Sequence, residues 1–171
     1  MNLERLGKDI SIMIWASIWY GGRSELVVLE RDELSRNGGY STNSCIPFLE
    51  KSLLPIYEPG IRFQQDNAKI HISRQAQSWF ERRGIWVLDW PPYSPDLNPI
   101  ENLWRLLKKK LMELYLELFL NGVSEIDMER FRQSFQTAWN NLDQEVINRL
   151  VLSWPRRLRA VYKARGWYTK C

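Results

Sequence analysis

The chain has 171 residues, 44% of them hydrophobic and 26% charged, with a net charge of +4. That length suits one domain with a real core and excludes two comfortable ones. Two cysteines, Cys45 and Cys171, cannot form a disulfide framework, and with a single histidine they exclude a convincing zinc site. The chain therefore reads as intracellular and reduced. Nine tryptophans are many for this length. Core filling is the plain explanation, and stacking on nucleic-acid bases is the sharper one.

In chain order, Ile10 to Tyr20 is apolar and rich in Ile and Trp, which predicts a buried strand. The run is too short to cross a bilayer. Its β-rich content and the charges before it argue against a leader-peptide core. Gly21-Gly22 predicts a hairpin turn, and Leu26 to Glu30 a second, antiparallel strand. The polar stretch Ser35 to Ser44 reads as a loop. A helix follows over about Thr42 to Leu54, and Pro55 with Pro59-Gly60 breaks the chain. Ile61 to Gln65 predicts a strand that ends on Asp66. Ser73 is an N-cap for a helix over Arg74 to Arg83, and Gly84 sits where a C-cap glycine belongs. Ile85 to Leu88 is the next strand, so this run predicts a parallel crossover.

Four prolines fall between Trp90 and Pro99 and make a stiff connector. Asn98 is placed to cap, and Pro99 to open, a long helix that runs to about Phe119. Gly122 would end it, and Ser124 would start another, with Asp127 in capping-box register. A last helical region begins near Asp143 and meets Pro155. The order is that of an α/β fold with a mixed sheet.

Two acids occupy special places. Asp66 ends a predicted strand, and Glu101 lies in the first turn of the helix after the connector, with 34 residues between them. Ligand sites in open α/β sheets form beyond the carboxyl ends of strands. Two carboxylates brought there suit Mg²⁺, a hard cation that takes oxygen ligands. Spacing alone favours plainer roles: Glu101 as the acid of a capping box with Asn98, Asp66 as a turn residue, and His71 as a structural histidine. Positive charge gathers in two places. Lys108, Lys109 and Lys110 are consecutive, and from Gln144 to Cys171 there are seven Lys or Arg against one acid, Glu145. Either cluster is a solvated helix face or a surface for a polyanion.

Gln65-Asp66-Asn67-Ala68 followed by His71 resembles the second-acid motif of mariner-superfamily transposases, and the run from Pro91 to Trp104 is similar to their third-acid motif almost residue for residue. Ile14-Trp15-Ala16-Ser17-Ile18 resembles the family's Trp-Gly strand, with Ala16 in place of glycine. The likeness continues through Trp154, Arg157 and Gly166 to Thr169. Lys69 and Ile72 depart from the more usual Pro and Thr. The resemblance implies a ribonuclease H-like mixed sheet with flanking helices over residues 1–120, and a basic helical extension of the same domain over residues 121–171. It implies Asp66 and Glu101 as catalytic, metal-holding acids, with Asn67, His71 and Asn98 supporting the motifs. Mg²⁺ or Mn²⁺ is the implied cofactor, DNA the partner and the nucleus the location. Lys108, Lys109, Lys110, Arg156, Arg157, Arg159, Lys163 and Arg165 are the candidate nucleic-acid contacts.

The family's first acid lies on a strand upstream of the Trp-Gly strand, and only fourteen residues precede Trp15. Asp9 and Glu4 are too close to Trp15 to serve. The sequence therefore predicts a sheet without its first, central strand, a bare edge prone to aggregation, and no activity for the chain alone. The family's N-terminal helix-turn-helix domains are absent as well. Three readings follow: an inactive remnant of a DNA-cleaving enzyme; a binding module for nucleic acid, a full-length transposase or a second copy; and a nuclease in which Asp9 or Glu4 substitutes for the first acid.

Overall fold

The computed structural model describes residues 2–3, 12–35, 38–115 and 125–169. Asp9, Glu4, Gly122 and Ser124, and the predictions that rest on them, lie outside the described residues, as does the side chain of Asp127. Two compact units are built, one from Leu29–Tyr93 and the other from Met1–Val28 with Ser94–Cys171.

The second of these begins with β1 (Asn2–Leu3) and β2 (Ile12–Trp15), which pair antiparallel with Asn2 opposite Met13. On its other edge β2 pairs with β5 (Val27–Val28), Ile14 opposite Val28. β2 is therefore paired on both edges, with β1 on one and β5 on the other. Ile12 and Ile14 alternate onto the buried face, as period-2 patterning requires. The β2–β5 pair is the predicted antiparallel pairing, and between them in the chain β3 (Ile18–Trp19) and β4 (Gly22–Arg23) add a short hairpin at the predicted turn. Its two-residue loop is Tyr20-Gly21 rather than Gly21-Gly22. Gly21 takes the left-handed conformation, φ +85°. Gly22 lies in the ladder because the Trp19 indole covers it; a Cβ there would lie 2.3 Å from the ring.

The helices of this unit are α3 (Ile100–Leu114), α4 (Glu125–Asn140), α5 (Gln144–Leu152) and α6 (Trp154–Lys163). α3 buries Leu103, Trp104, Leu107 and Leu111, one helical stripe, against Phe131, Phe135, Ala138 and Trp139 of α4. The Trp104 and Trp139 rings lie 5.7 Å apart, and Phe131 and Phe135 meet edge to face at 4.9 Å. Ile12, Ile14, Leu26 and Ile147 complete the cluster. The hairpin is pinned to it by polar contacts: Trp139 Nε1 donates to Ser24 O at 2.8 Å, and Arg23 Nη1 donates to Trp139 O at 2.7 Å. The predicted last helix is two. Asp143 caps α5 through Glu145 N, and Pro155 opens α6 instead of ending its predecessor, since a first-turn proline has no hydrogen bond to lose.

In the Leu29–Tyr93 unit, α1 (Thr42–Phe48) is capped by Ser41 and runs on through a wider π turn at Leu49–Leu53 into a 3-10 turn at Leu54–Ile56. β6 (Arg62–Phe63) and β7 (Trp86–Val87) pair in parallel through α2 (Arg74–Arg82), the predicted crossover. Ser73 Oγ accepts from Ala76 N at 3.1 Å, and Gly84 is left-handed at φ +65°. Ala76, Trp79 and Phe80 form the buried stripe of α2, with Phe80 5.9 Å from Phe63. β6 stops two residues short of the predicted Gln65. Its ladder closes with Leu88 N donating to Phe63 O, after which the chain near Trp90 serves the turn that holds Asp66.

Of the nine tryptophans, Trp79, Trp90, Trp104 and Trp139 are core residues, while Trp19, Trp86 and Trp167 are exposed. Core filling therefore accounts for the largest share. No helix among the described residues is long and apolar enough to cross a membrane.

Candidate active site

Asp66 lies in a tight turn beyond β6. Its Oδ1 accepts from Ala68 N at 3.1 Å, the turn geometry a strand-end aspartate favours. The same oxygen lies 2.6 Å from His71 Nδ1, whose N–H donates to it. The ring is presented there by a backbone turn in which His71 N donates to Ala68 O at 2.8 Å. Asn67 Nδ2 donates to Trp90 O at 2.7 Å and ties the turn to the chain after β7. The structure thus pairs Asp66 with His71 and ties their turn, through Asn67, to the chain after β7.

Two consequences follow for the carboxylate. The His71 hydrogen bond holds its pKa below the ordinary aspartate value, against the opposing effect of desolvation, so it is an anion at neutral pH. Among the described residues both hydrogen bonds fall on Oδ1, which leaves Oδ2 to a ligand, and the side chain is 56% exposed. An oriented, ionised, accessible carboxylate is the donor a hard divalent cation takes.

Glu101 is carried by α3. Asn98 is extended at φ −89°, ψ 110°, and Pro99 is helical at φ −60°, ψ −30°, so the helix opens where the sequence places it. Asn98 Oδ1 accepts from Ile100 N at 3.4 Å, and Glu101 N donates to Asn98 O at 3.2 Å. An acid in the first turn also meets the favourable end of the helix dipole. The helix stops at Leu114, short of the predicted Phe119; Tyr115 has left helical geometry at φ −140°.

The basic residues divide. Arg156, Arg159, Lys163 and Arg165 are exposed on α6 and at its end, where the sequence puts them for polyanion contact. Lys108 is exposed on α3, while Lys109 and Lys110 both lie 3.8 Å from Glu113, contacts of little energetic weight. Arg157 is the correction. It is only 1% exposed and cannot meet a phosphate in this structure. Its Nε donates to Ser153 Oγ at 2.8 Å, its Nη1 to Asp96 O at 2.8 Å and its Nη2 to Asn102 Oδ1 at 2.9 Å. An arginine in a basic stretch reads as solvated unless its acceptors are known, and these lie 61 and 55 residues away. Asp96, Asn102 and Thr169 are the site-framing residues that sequence reasoning missed. Thr169 donates to Asp96 Oδ2 through both its N–H, at 2.9 Å, and its Oγ1, at 2.8 Å.

Residues 34–117 match the family of DDE superfamily endonucleases. The chain is 40% identical over 111 residues to the transposable element Tc1 transposase of Caenorhabditis elegans, which takes in 65% of this chain and 37% of that protein. It is 38% identical over 108 residues to the Tcb1 transposase of Caenorhabditis briggsae, covering 63% of this chain and 36% of the relative. The chain thus spans little more than a third of these relatives. Among solved structures, the Mos1 transposase catalytic domain with raltegravir and Mg superposes with a TM-score of 0.59 at 16% identity, over 93% of this chain and 84% of that one. A second Mos1 mariner catalytic-domain structure gives 0.56 at 16%. At such identity the likeness speaks for the fold: mixed α/β, similar to the Mos1 catalytic domain. Residues 34–117 are thus a DDE superfamily endonuclease domain, and the chain's homologues are the Tc1/mariner transposases.

Proposed function

We propose that this chain is the catalytic portion of a Tc1/mariner-type transposase, in which Asp66 and Glu101 are the second and third acids that hold Mg²⁺ or Mn²⁺ while DNA is cut and joined. The observation that carries the reading is the Asp66 turn. A carboxylate kept ionised by His71, with both of its hydrogen bonds among the described residues on one oxygen, keeps the other oxygen for a cation. The donor set fits, since both acids offer hard oxygen ligands. A bound divalent ion would supply charge stabilisation for the phosphodiester displacement and a more acidic water. His71 orients Asp66, Asn67 anchors its turn, and Asn98 with Pro99 sets the helix start that presents Glu101. DNA is held at its backbone by Arg156, Arg159, Lys163, Arg165 and Lys108, and the chain works in the nucleus.

Under the same reading the chain alone does not cleave DNA, because it offers two motif acids where the chemistry takes three. Calorimetric titration with Mn²⁺ and Mg²⁺ tests the first part: wild type binds, and Asp66→Asn and Glu101→Gln each abolish binding. A folded wild type that binds neither ion refutes it. Metal-dependent nicking of plasmid DNA by the purified chain, lost in Asp66→Ala, refutes the second.

A further inference from the structure

We propose that Arg157, seconded by Thr169, is a positioning residue for Glu101, so that the C-terminal helix and tail belong to the working parts of the acid site. The inference rests on the reading of Glu101 as a metal-holding acid.

Glu101 stands in the first turn of α3, whose leading N–H groups are held by the chain just before the helix: Ile100 N by Asn98 Oδ1, Glu101 N by Asn98 O and Asn102 N by Pro99 O. The segment before it is a 3-10 turn, Pro95–Leu97. The placement of the first turn therefore depends on where that segment is held, and Arg157 grips both sides of it. One guanidinium nitrogen holds Asp96 O, five residues before Glu101, and another holds Asn102 Oδ1, one residue after it. The third nitrogen is anchored on Ser153 Oγ, whose own proton goes to Leu150 O at 2.6 Å, so the clamp is rooted in the end of α5. Thr169 adds two donors to Asp96 Oδ2. That assigns the Asp96 carboxylate to the frame and not to a cation.

Burial of a guanidinium is costly, and stability alone is often served as well by an apolar side chain of similar volume. What arginine adds is a rigid planar fork that fixes several acceptors at once. Metal-holding groups must be kept within about 0.5 Å of their productive geometry, a demand that calls for such a fork. Arg157 and Thr169 also lie beyond residues 34–117, the part that matches the endonuclease family. The acid on α3 therefore depends on chain outside that match.

The test compares wild type with Arg157→Met, Arg157→Lys and Thr169→Val, each in the full chain. Amide hydrogen exchange at Glu101 to Leu103 reads the clamp itself, with Ala76 to Phe80 of α2 as the internal reference. Mn²⁺ affinity, from the electron paramagnetic resonance of free Mn²⁺, reads its consequence. Exchange at Glu101 to Leu103 is expected to rise at least about tenfold with α2 unchanged, and Mn²⁺ affinity to fall about 10–100-fold in Arg157→Met. Lysine does not rescue, because one ammonium cannot span the three acceptors. Unchanged exchange at Glu101 to Leu103 overturns the proposal, as does unchanged Mn²⁺ affinity in Arg157→Met. Should Arg157→Met fail to fold, the lysine and Thr169 variants decide by the same two readouts. Faster exchange in a chain whose wild type binds no Mn²⁺ overturns the metal-site reading instead, and with it the purpose assigned to the clamp.

Discussion

Replacing Trp139 by phenylalanine separates the two things that residue does. The indole is fully buried beside Trp104, and its Nε1 donates to Ser24 O at 2.8 Å. Phenylalanine keeps an aromatic ring in the site but removes the donor. Ser24 is 6% exposed, so its carbonyl is left without that bond in a dry place, a loss of about 1–3 kcal/mol. The smaller ring leaves a void worth about 1 kcal/mol more. The expected loss is therefore about 2–4 kcal/mol, which at about 2 kcal/mol per molar urea moves the midpoint down by about 1–2 M. Circular dichroism in urea measures it, with Trp167→Phe as the control. Trp167 is 79% exposed and should shift stability by less than about 0.5 kcal/mol. A loss below about 0.5 kcal/mol for Trp139→Phe would mean that the hairpin is not fastened through this hydrogen bond.

Two further predictions concern the Leu29–Tyr93 unit. In His71→Ala, Asp66 loses the group that holds its pKa down, so its carboxyl resonance titrates at higher pH than in wild type; no change refutes the pairing. The sign of the stability effect follows. The depressed pKa contributes stability above the unfolded aspartate value of about 3.9, lost as pH falls through the folded value, and His71→Ala removes that contribution. Ser73→Ala should cost about 1 kcal/mol by thermal melting, since it removes the acceptor for Ala76 N at the start of α2.

How much was legible in the sequence depended on how local its cause was. Caps and turns were read correctly because their determinants are adjacent: Ser73 with Ala76, Gly84 at the end of α2, Asn98 before Pro99. Strand lengths were overestimated at Ile61 to Gln65 and Ile85 to Leu88, because apolar residues mark burial while a ladder lasts only as long as its partner. Pro155 was misjudged for a related reason. Proline breaks a helix interior but suits a first turn, and only the end of α5 at Leu152 decides which applies. The site divides in the same way. Asp66 and His71 sit within six residues and meet in one hydrogen-bonded turn, a local cause. Arg157 could not be placed, because its acceptors Asp96 and Asn102 are far off in the chain and nothing in its neighbours distinguishes a buried arginine from a solvated one.

The mismatch between family match and structural unit has a consequence for folding. The match ends at Glu117, yet α3, which carries Glu101, packs its stripe on α4 and shares a core with Ile147 of α5. A chain ended at Glu117 would strip the α4 and α5 side of the core from Leu103, Trp104, Leu107 and Leu111, each 5% exposed or less in the whole chain, and leave only the buried Ile12, Ile14, Ala16 and Leu26 beside them. At about 1.5–3 kcal/mol for each buried side chain of this kind, the loss reaches at most roughly 6–12 kcal/mol. Even half of that is a large share of the stability of an ordinary domain, about 5–15 kcal/mol. It would also remove the Arg157 and Thr169 donors from Asp96 and Asn102. The 1–117 piece is therefore expected to bind a hydrophobic dye and to show poorly dispersed amide resonances, whereas the full chain does neither. A well-dispersed spectrum from the piece, with slow exchange at Glu101 to Leu103, would show that the family-matched region makes its own core and that the C-terminal helices are an appendage to it.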